Sequence, residues 1–242
     1  MLVSLITYTP EPEKIIASAA KLCYSKCDIE TLLDNLSEET SKEFLDKLPQ
    51  AHTSPFEHVT FTFGIEGVSR AFLAQITRHR IASYSVQSQR FVNLGNTFEY
   101  VIPPEIEASQ ECLKIYQETI AREKWAYDSI SKTLKEKYIS QGMTSLKAEK
   151  KAIEDARYVL PNACETKMIV TMNIRSLYNF FALRCCNNAQ WEIQNVANEM
   201  LRICSDISPT LFRKAGAPCV SGKCPEGNKS CGKTKKGVIT YE

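Results

Sequence analysis

The sequence has 242 residues, of which 43% are hydrophobic and 24% charged, with a formal net charge of +2. These values describe a soluble globular chain with enough residues for a sizeable core. They argue against disorder, a membrane-embedded body and indiscriminate attraction to nucleic acid.

The apolar opening Met1-Leu-Val-Ser-Leu-Ile-Thr is short and has no basic leader, so it is expected to be a strand and not a signal peptide. Residues 2–8 alternate, and Thr9-Pro10 ends the run. Residues 12–22 and 38–48 have helical spacing and charged faces. Beyond Pro55, the alternating, β-branched segment 57–65 predicts a strand. Ser69 to Thr77 turns helical and runs into Arg78-His79-Arg80. Residues 81–100 are polar and aromatic without a clear period and predict an ordered loop. Segment 105–140 predicts one long amphipathic helix or two broken ones, with Gly142 as a stop. A further helix is expected from about Ser145 to Leu160, closed by Pro161. Lys167–Asn173 predicts a strand and 174–186 a helix. Asn188 is expected to cap a last long helix through Ile207, with Glu192 in its first turn.

From Pro209 onward the composition shifts to Gly, Pro, Lys and Cys, which predicts a loose tail. Repeats and inter-domain linkers are absent, and there is no strict βαβ rhythm. The expected class is α+β, a single domain with a largely antiparallel central sheet flanked by long helices. The expected division is a catalytic body over 1–208 and a tail over 209–242. No run reaches the length of a membrane span, so the chain is expected in the cytoplasm, without membrane partners and with its ten cysteines reduced.

Neither a glycine-rich dinucleotide fingerprint nor a Walker A loop occurs, so any phosphate must be held by side chains and helix ends. Six of the ten arginines fall in three polar segments. The densest is Gln75-Ile-Thr-Arg78-His79-Arg80-Ile-Ala-Ser83-Tyr84-Ser85-Val86-Gln87-Ser88-Gln89-Arg90. Guanidinium forks suit phosphate oxygens, and hydroxyls and amides can complete the coordination. One arginine at a helix end is ordinarily just a favourable dipole partner. Here the polar run outlasts any helix end, which favours binding.

The second segment runs from Asn173 through Arg175, Asn179 and Arg184 to Asn188. On a helix over 174–186, Arg175 and Asn179 share a face, while Arg184 points almost oppositely, among Leu177, Phe180 and Phe181. A cation there needs an anionic partner, either a ligand or an internal carboxylate such as Glu165 or Glu192. Arg157, in the third segment, is ambiguous by itself. Cys185 and Cys186 are expected to be packing thiols and not nucleophiles. Cys219, Cys224 and Cys231 lack Cys-x-x-Cys spacing, so no metal is expected. His52, Ser54, Glu57 and His58 gather at a strand start, where histidine is more often structural.

Taken together, Arg78-His79-Arg80, seven residues and then Ser88 and Arg90 resemble the Arg-His-Arg-x7-Ser signature of the flavin-dependent thymidylate synthases. Ser54-Pro-Phe-Glu57-His58, Arg157-Tyr-Val-Leu-Pro161, Asn173-Ile-Arg175-Ser-Leu-x-Asn179-Phe, Leu183-Arg184 and Ala189-Gln-Trp-Glu-Ile193 follow in family order, over roughly residues 50–195. The resemblance implies reductive methylation of dUMP to dTMP with bound FAD, 5,10-methylenetetrahydrofolate as carbon donor and NADPH as reductant.

It further implies dUMP contacts at Gln75, Arg78, Gln87, Ser88, Gln89, Arg90, Arg157 and Arg184. FAD contacts are implied at Ser54, Arg78, His79, Arg80, Asn173, Arg175 and Asn179. Arg184 would activate the uracil ring, Ser88 would hold phosphate, and sites would be shared within a homotetramer. Val86, Ser85, Gln89 and Asn188 depart from the commoner glutamate, asparagine, glycine and histidine. Two other readings use the same residues: a noncatalytic nucleotide- or RNA-binding module, and a cysteine-dependent methyltransferase.

Overall fold

The computed structural model describes residues 1–47, 53–91, 98–220 and 222–233. Four strands, β1 (Leu2–Tyr8), β2 (Thr60–Ser69), β3 (Ser83–Val86) and β4 (Glu165–Asn173), form one sheet in the order β1-β2-β4-β3. Register shows the antiparallel run of β2 against β4. Ile174 N–H bonds the Val59 carbonyl, the Thr62 and Thr171 hydroxyls meet at 2.9 Å, and Arg70 N–H bonds the Cys164 carbonyl. The α+β class with an antiparallel sheet is therefore as expected.

The helices are α1 (Pro12–Leu22), α2 (Ile29–Asp34), α3 (Glu38–Lys47), α4 (Arg70–Ile76), α5 (Pro104–Glu107), α6 (Gln110–Ser140), α7 (Ser145–Ala156), α8 (Ile174–Arg184), α9 (Trp191–Ile207) and α10 (Pro209–Phe212). No helix among the described residues is long and apolar enough to cross a membrane.

The chain divides into two compact units. One comprises residues 1–65, 75–84 and 169–242, the other residues 66–74 and 85–168. The boundaries fall inside β2, α4, β3 and β4, so no linker marks them in the sequence.

In the first unit, the alternation of β2 buries Phe61, Phe63 and Ile65, Val59 just before it is buried too, and β4 adds Val170 and Met172. Leu177, Phe180 and Phe181 of α8 and Ile193, Val196 and Met200 of α9 are likewise buried. Each such side chain contributes roughly 1.5–3 kcal/mol through removal from water. In the second unit, α6 and α7 form an antiparallel hairpin. Tyr138 packs on Ala148 and Ala152, and Tyr127 on Ile153 and Ala156. Gly142 takes φ +88° at the end of α6, where a side chain would be strained.

Four details differ from the sequence reading. The strand predicted from residue 57 starts at Thr60, because Pro55 opens a 3-10 turn over Ser54–His58. The loop predicted over 81–100 contains β3, whose four residues are too few to show a period. Gln190, not Asn188, caps α9, its side-chain oxygen accepting from the N–H groups of Glu192 and Ile193. The predicted looseness does not extend over 209–217. Leu211, Phe212, Ala215 and Ala217 are buried, and Phe212 meets Phe61 edge-on at 5.6 Å. His52, residues 92–97 and residues 234–242 lie outside the described residues.

Candidate functional site

α4 ends at Ile76 because the chain turns there. Arg78 and His79 N–H groups bond back to the Gln75 and Ile76 carbonyls. The Tyr84 hydroxyl, on β3, is shared between the carbonyls of Ile76 at 2.7 Å and His79 at 2.9 Å. Burial pushes that phenol up to about 12, so it stays a donor. Tyr84 thus holds the Arg78-His79-Arg80 turn in shape, a role that spacing did not reveal. The turn leaves Arg78 and Arg80 exposed and His79 half-buried.

α8 approaches this turn. Asn173 caps it, its side-chain oxygen accepting from the Ser176 N–H at 2.8 Å. Eleven residues later, Arg184 donates through Nε to His79 Nε2 at 3.2 Å and through Nη1 to Gln75 Oε1 at 3.3 Å. Phe180 of the same helix meets the His79 ring edge-to-face at 5.0 Å. Accepting from a guanidinium requires Nε2 to be unprotonated. Burial, and then the charge of Arg184, hold His79 below its ordinary value of 6.5, which keeps it neutral. Burial and the nearby Arg78 cation lower Arg184 in turn.

Arg184 is therefore bonded to neutral acceptors and not to the Glu165 or Glu192 carboxylates considered as internal partners. The Arg78 cation lies close enough to act on Arg184, and the two bonds given for Arg184 are to neutral groups. Such a pair suits an anion, whether phosphate, a flavin's pyrophosphate or a polarised uracil edge. The donor set fits a flavin dinucleotide on this ground. Arg184 also lines a cavity of about 330 Å³ shared with Asn179, Cys186 and Asn188.

Arg175 lies on the other side of α8. It pairs with Glu57, both side chains roughly half exposed, and lines a separate cavity with Phe56, Tyr178 and Arg213. Although Asn179 follows Arg175 by one turn, it borders the Arg184 cavity, which forms at the C-terminal end of α8. Ser54 is exposed at the head of its 3-10 turn.

The remaining candidates belong to the second unit. Gln87 joins the sheet through its N–H to the Lys167 carbonyl. Ser88 Oγ accepts from the Arg90 N–H at 3.1 Å, as a turn-forming serine does. Gln89 Nε2 donates to the buried Cys164 Sγ at 3.5 Å. Arg90 pairs with Glu154 at 2.8 Å, and Arg157 lies over the Tyr158 ring at 5.8 Å. Cys185 is buried, and burial raises Cys164 and Cys204 above the ordinary thiol value, so none of these resembles an activated nucleophile.

Comparison with known proteins supplies the family. Residues 4–210 match the model of the thymidylate synthase complementing protein family. A flavin-dependent thymidylate synthase of Clostridium tetani is 57% identical over 240 residues, covering 99% of this chain and 96% of the relative. The Geobacter sulfurreducens enzyme of the same name is 45% identical over 235 residues, covering 96% and 94%. A crystal structure of the Helicobacter pylori flavin-dependent thymidylate synthase complexed with FAD and dUMP shares the fold, with a TM-score of 0.66 at 22% identity, covering 89% of this chain and all of that one. On the family match and on these identities, the chain belongs to the flavin-dependent thymidylate synthase family.

Proposed function

We propose that the chain methylates dUMP to dTMP reductively, taking the carbon from 5,10-methylenetetrahydrofolate and using FAD reduced by NADPH. The observation that carries this reading is the bonding of Arg184. Its guanidinium is oriented by neutral His79 and Gln75, so its charge is held in place without being cancelled.

When bound, FAD supplies the hydride that completes the methyl group. The chain's own residues bind, orient and polarise. Arg184 stabilises negative charge that develops on the N3–C4 edge of uracil, which makes C5 the nucleophilic carbon. Phe180 and Phe181, both fully buried, restrict water on its helix and strengthen the interaction. Gln75, Arg78, Gln87, Ser88, Gln89, Arg90 and Arg157 hold the rest of dUMP. Ser54, Arg78, His79, Arg80, Asn173, Arg175 and Asn179 hold the flavin dinucleotide. Because Asn173 spends its oxygen on the helix cap and Gln89 its nitrogen on Cys164, Asn173 contributes as a donor and Gln89 as an acceptor.

The active form is a cytoplasmic homotetramer. Arg175 and Arg184 leave α8 on opposite sides and line different cavities, which suits ligands shared with other subunits. The test is purification followed by assay. The protein is expected to take up FAD, with its yellow absorption, and to form dTMP from dUMP only when both NADPH and the folate are supplied. A colourless protein that takes up no flavin and binds RNA with a steep salt dependence would overturn the reading.

A further inference from the structure

The tail carries three cysteines that neither the fold nor the proposed chemistry has used. In the structure, Lys229 and Cys231 return to the end of α8. Asn187 Nδ2 donates to Cys231 Sγ at 3.6 Å, and Asn188 Nδ2 donates to the Lys229 carbonyl at 2.8 Å. Cys219, Cys224 and Cys231 line the same cavity as Arg184, Asn179 and Cys186. Lys233 adds a second cation to the wall and Glu226 a single anion, so positive charge prevails. Among the described residues, no three cysteine, histidine or acidic side chains are grouped so as to hold a metal ion.

We propose that the tail residues Cys219, Cys224, Glu226, Cys231 and Lys233 form a binding wall of the nucleotide site, and that Asn187 and Asn188 are the positioning residues that hold this wall against Arg184. The occupant is an anionic, planar nucleotide, FAD or dUMP, and in this the inference rests on the function proposed above. The Asn188 amide anchors the tail through its bond to the Lys229 carbonyl. A ligand in the cavity shields the thiols of Cys219, Cys224 and Cys231 from solvent.

Thiol labelling tests the wall directly. Holoprotein stripped of flavin is treated with N-ethylmaleimide alone, with FAD, with dUMP and with both, and labelled sites are read by mass spectrometry. Cys23 and Cys112, exposed and outside the cavity, are internal controls. At least one nucleotide is expected to slow labelling of the tail thiols several-fold without changing the controls, and the separate arms identify which. An Asn187→Ala, Asn188→Ala double variant should lose this protection. It should also bind the protecting nucleotide about tenfold more weakly, the effect of losing two neutral hydrogen bonds. Equal labelling with and without both nucleotides overturns the wall, as does a folded double variant that binds them like the wild type. If the double variant does not fold, the wild-type labelling decides. Protection without dTMP formation would sink the proposed function and leave the wall standing. Formation of dTMP without protection would sink the wall alone.

Discussion

Arg184 Nε stands 3.2 Å from His79 Nε2, and the bond joins two residues 105 positions apart in the chain. It makes the histidine an acceptor, so the imidazole stays neutral and the arginine keeps its full charge. Gln75 holds the second edge of the same guanidinium.

Replacing Arg184 by alanine should lower dTMP formation by about 10²–10³-fold, the range for removing one preorganised donor. FAD should remain bound and reducible by NADPH. Arg184→Lys keeps the charge but loses the planar fork that reaches His79 and Gln75 together, so it should recover little. Single-turnover methylation run beside flavin reduction separates the two steps. Wild-type methylation in Arg184→Ala, or failure chiefly through loss of FAD, contradicts the assignment.

His79 should make stability depend on acid. Its folded value lies below the ordinary 6.5. The unfolded chain therefore takes up the proton first as pH falls. This contribution is fully present above pH ~6.5 and is lost as pH drops from there through the folded value. Melting temperature measured from pH 8 to pH 5 should fall on the acid side, and His79→Gln should flatten that part of the curve. An unchanged acid slope in His79→Gln would assign it to other groups.

Asn173 has a cap role and a proposed flavin role, and two variants separate them. Asn173→Ala should cost roughly 1 kcal/mol of stability through loss of the α8 cap. Asn173→Asp retains the capping oxygen and suits the positive helix end, so its stability should stay near wild type. It removes the donor and adds a negative charge, so FAD should bind more weakly. Thermal melts paired with FAD titrations read both effects. A stable Asn173→Asp protein with wild-type FAD affinity would leave the residue a cap only.

Neither Cys185 nor Cys186 is expected to act as a nucleophile. Cys185 is 1% exposed, and Cys186 follows the end of α8. A folded, flavin-loaded Cys185→Ala, Cys186→Ala variant should keep turnover within about tenfold, since loss of a covalent nucleophile costs far more. Complete loss of dTMP formation in that variant would restore the cysteine-dependent alternative.

The sequence by itself determined what local pattern can encode. The alternation of β1, β2 and β4 and the helical spacing of α1, α6 and α8 gave their places within a few residues, because one buried face imposes a period. The order of Arg78-His79-Arg80, Ser88, Arg175 and Arg184 was enough to recognise the family. Tertiary structure decided what these residues bond to. β3 has only four residues, too few for a period to rise above the polar run around it. Opposition of Arg175 and Arg184 followed from helix geometry, but the choice of neutral His79 and Gln75 over a carboxylate depended on how α8 approaches the end of α4. The tail shows the same limit. Its glycines, prolines and lysines predict looseness, yet Leu211 and Phe212 bury themselves against residues distant in the chain, and Asn187 and Asn188 draw Cys231 and Lys229 to the end of α8. Contacts of that kind join segments that no local period connects.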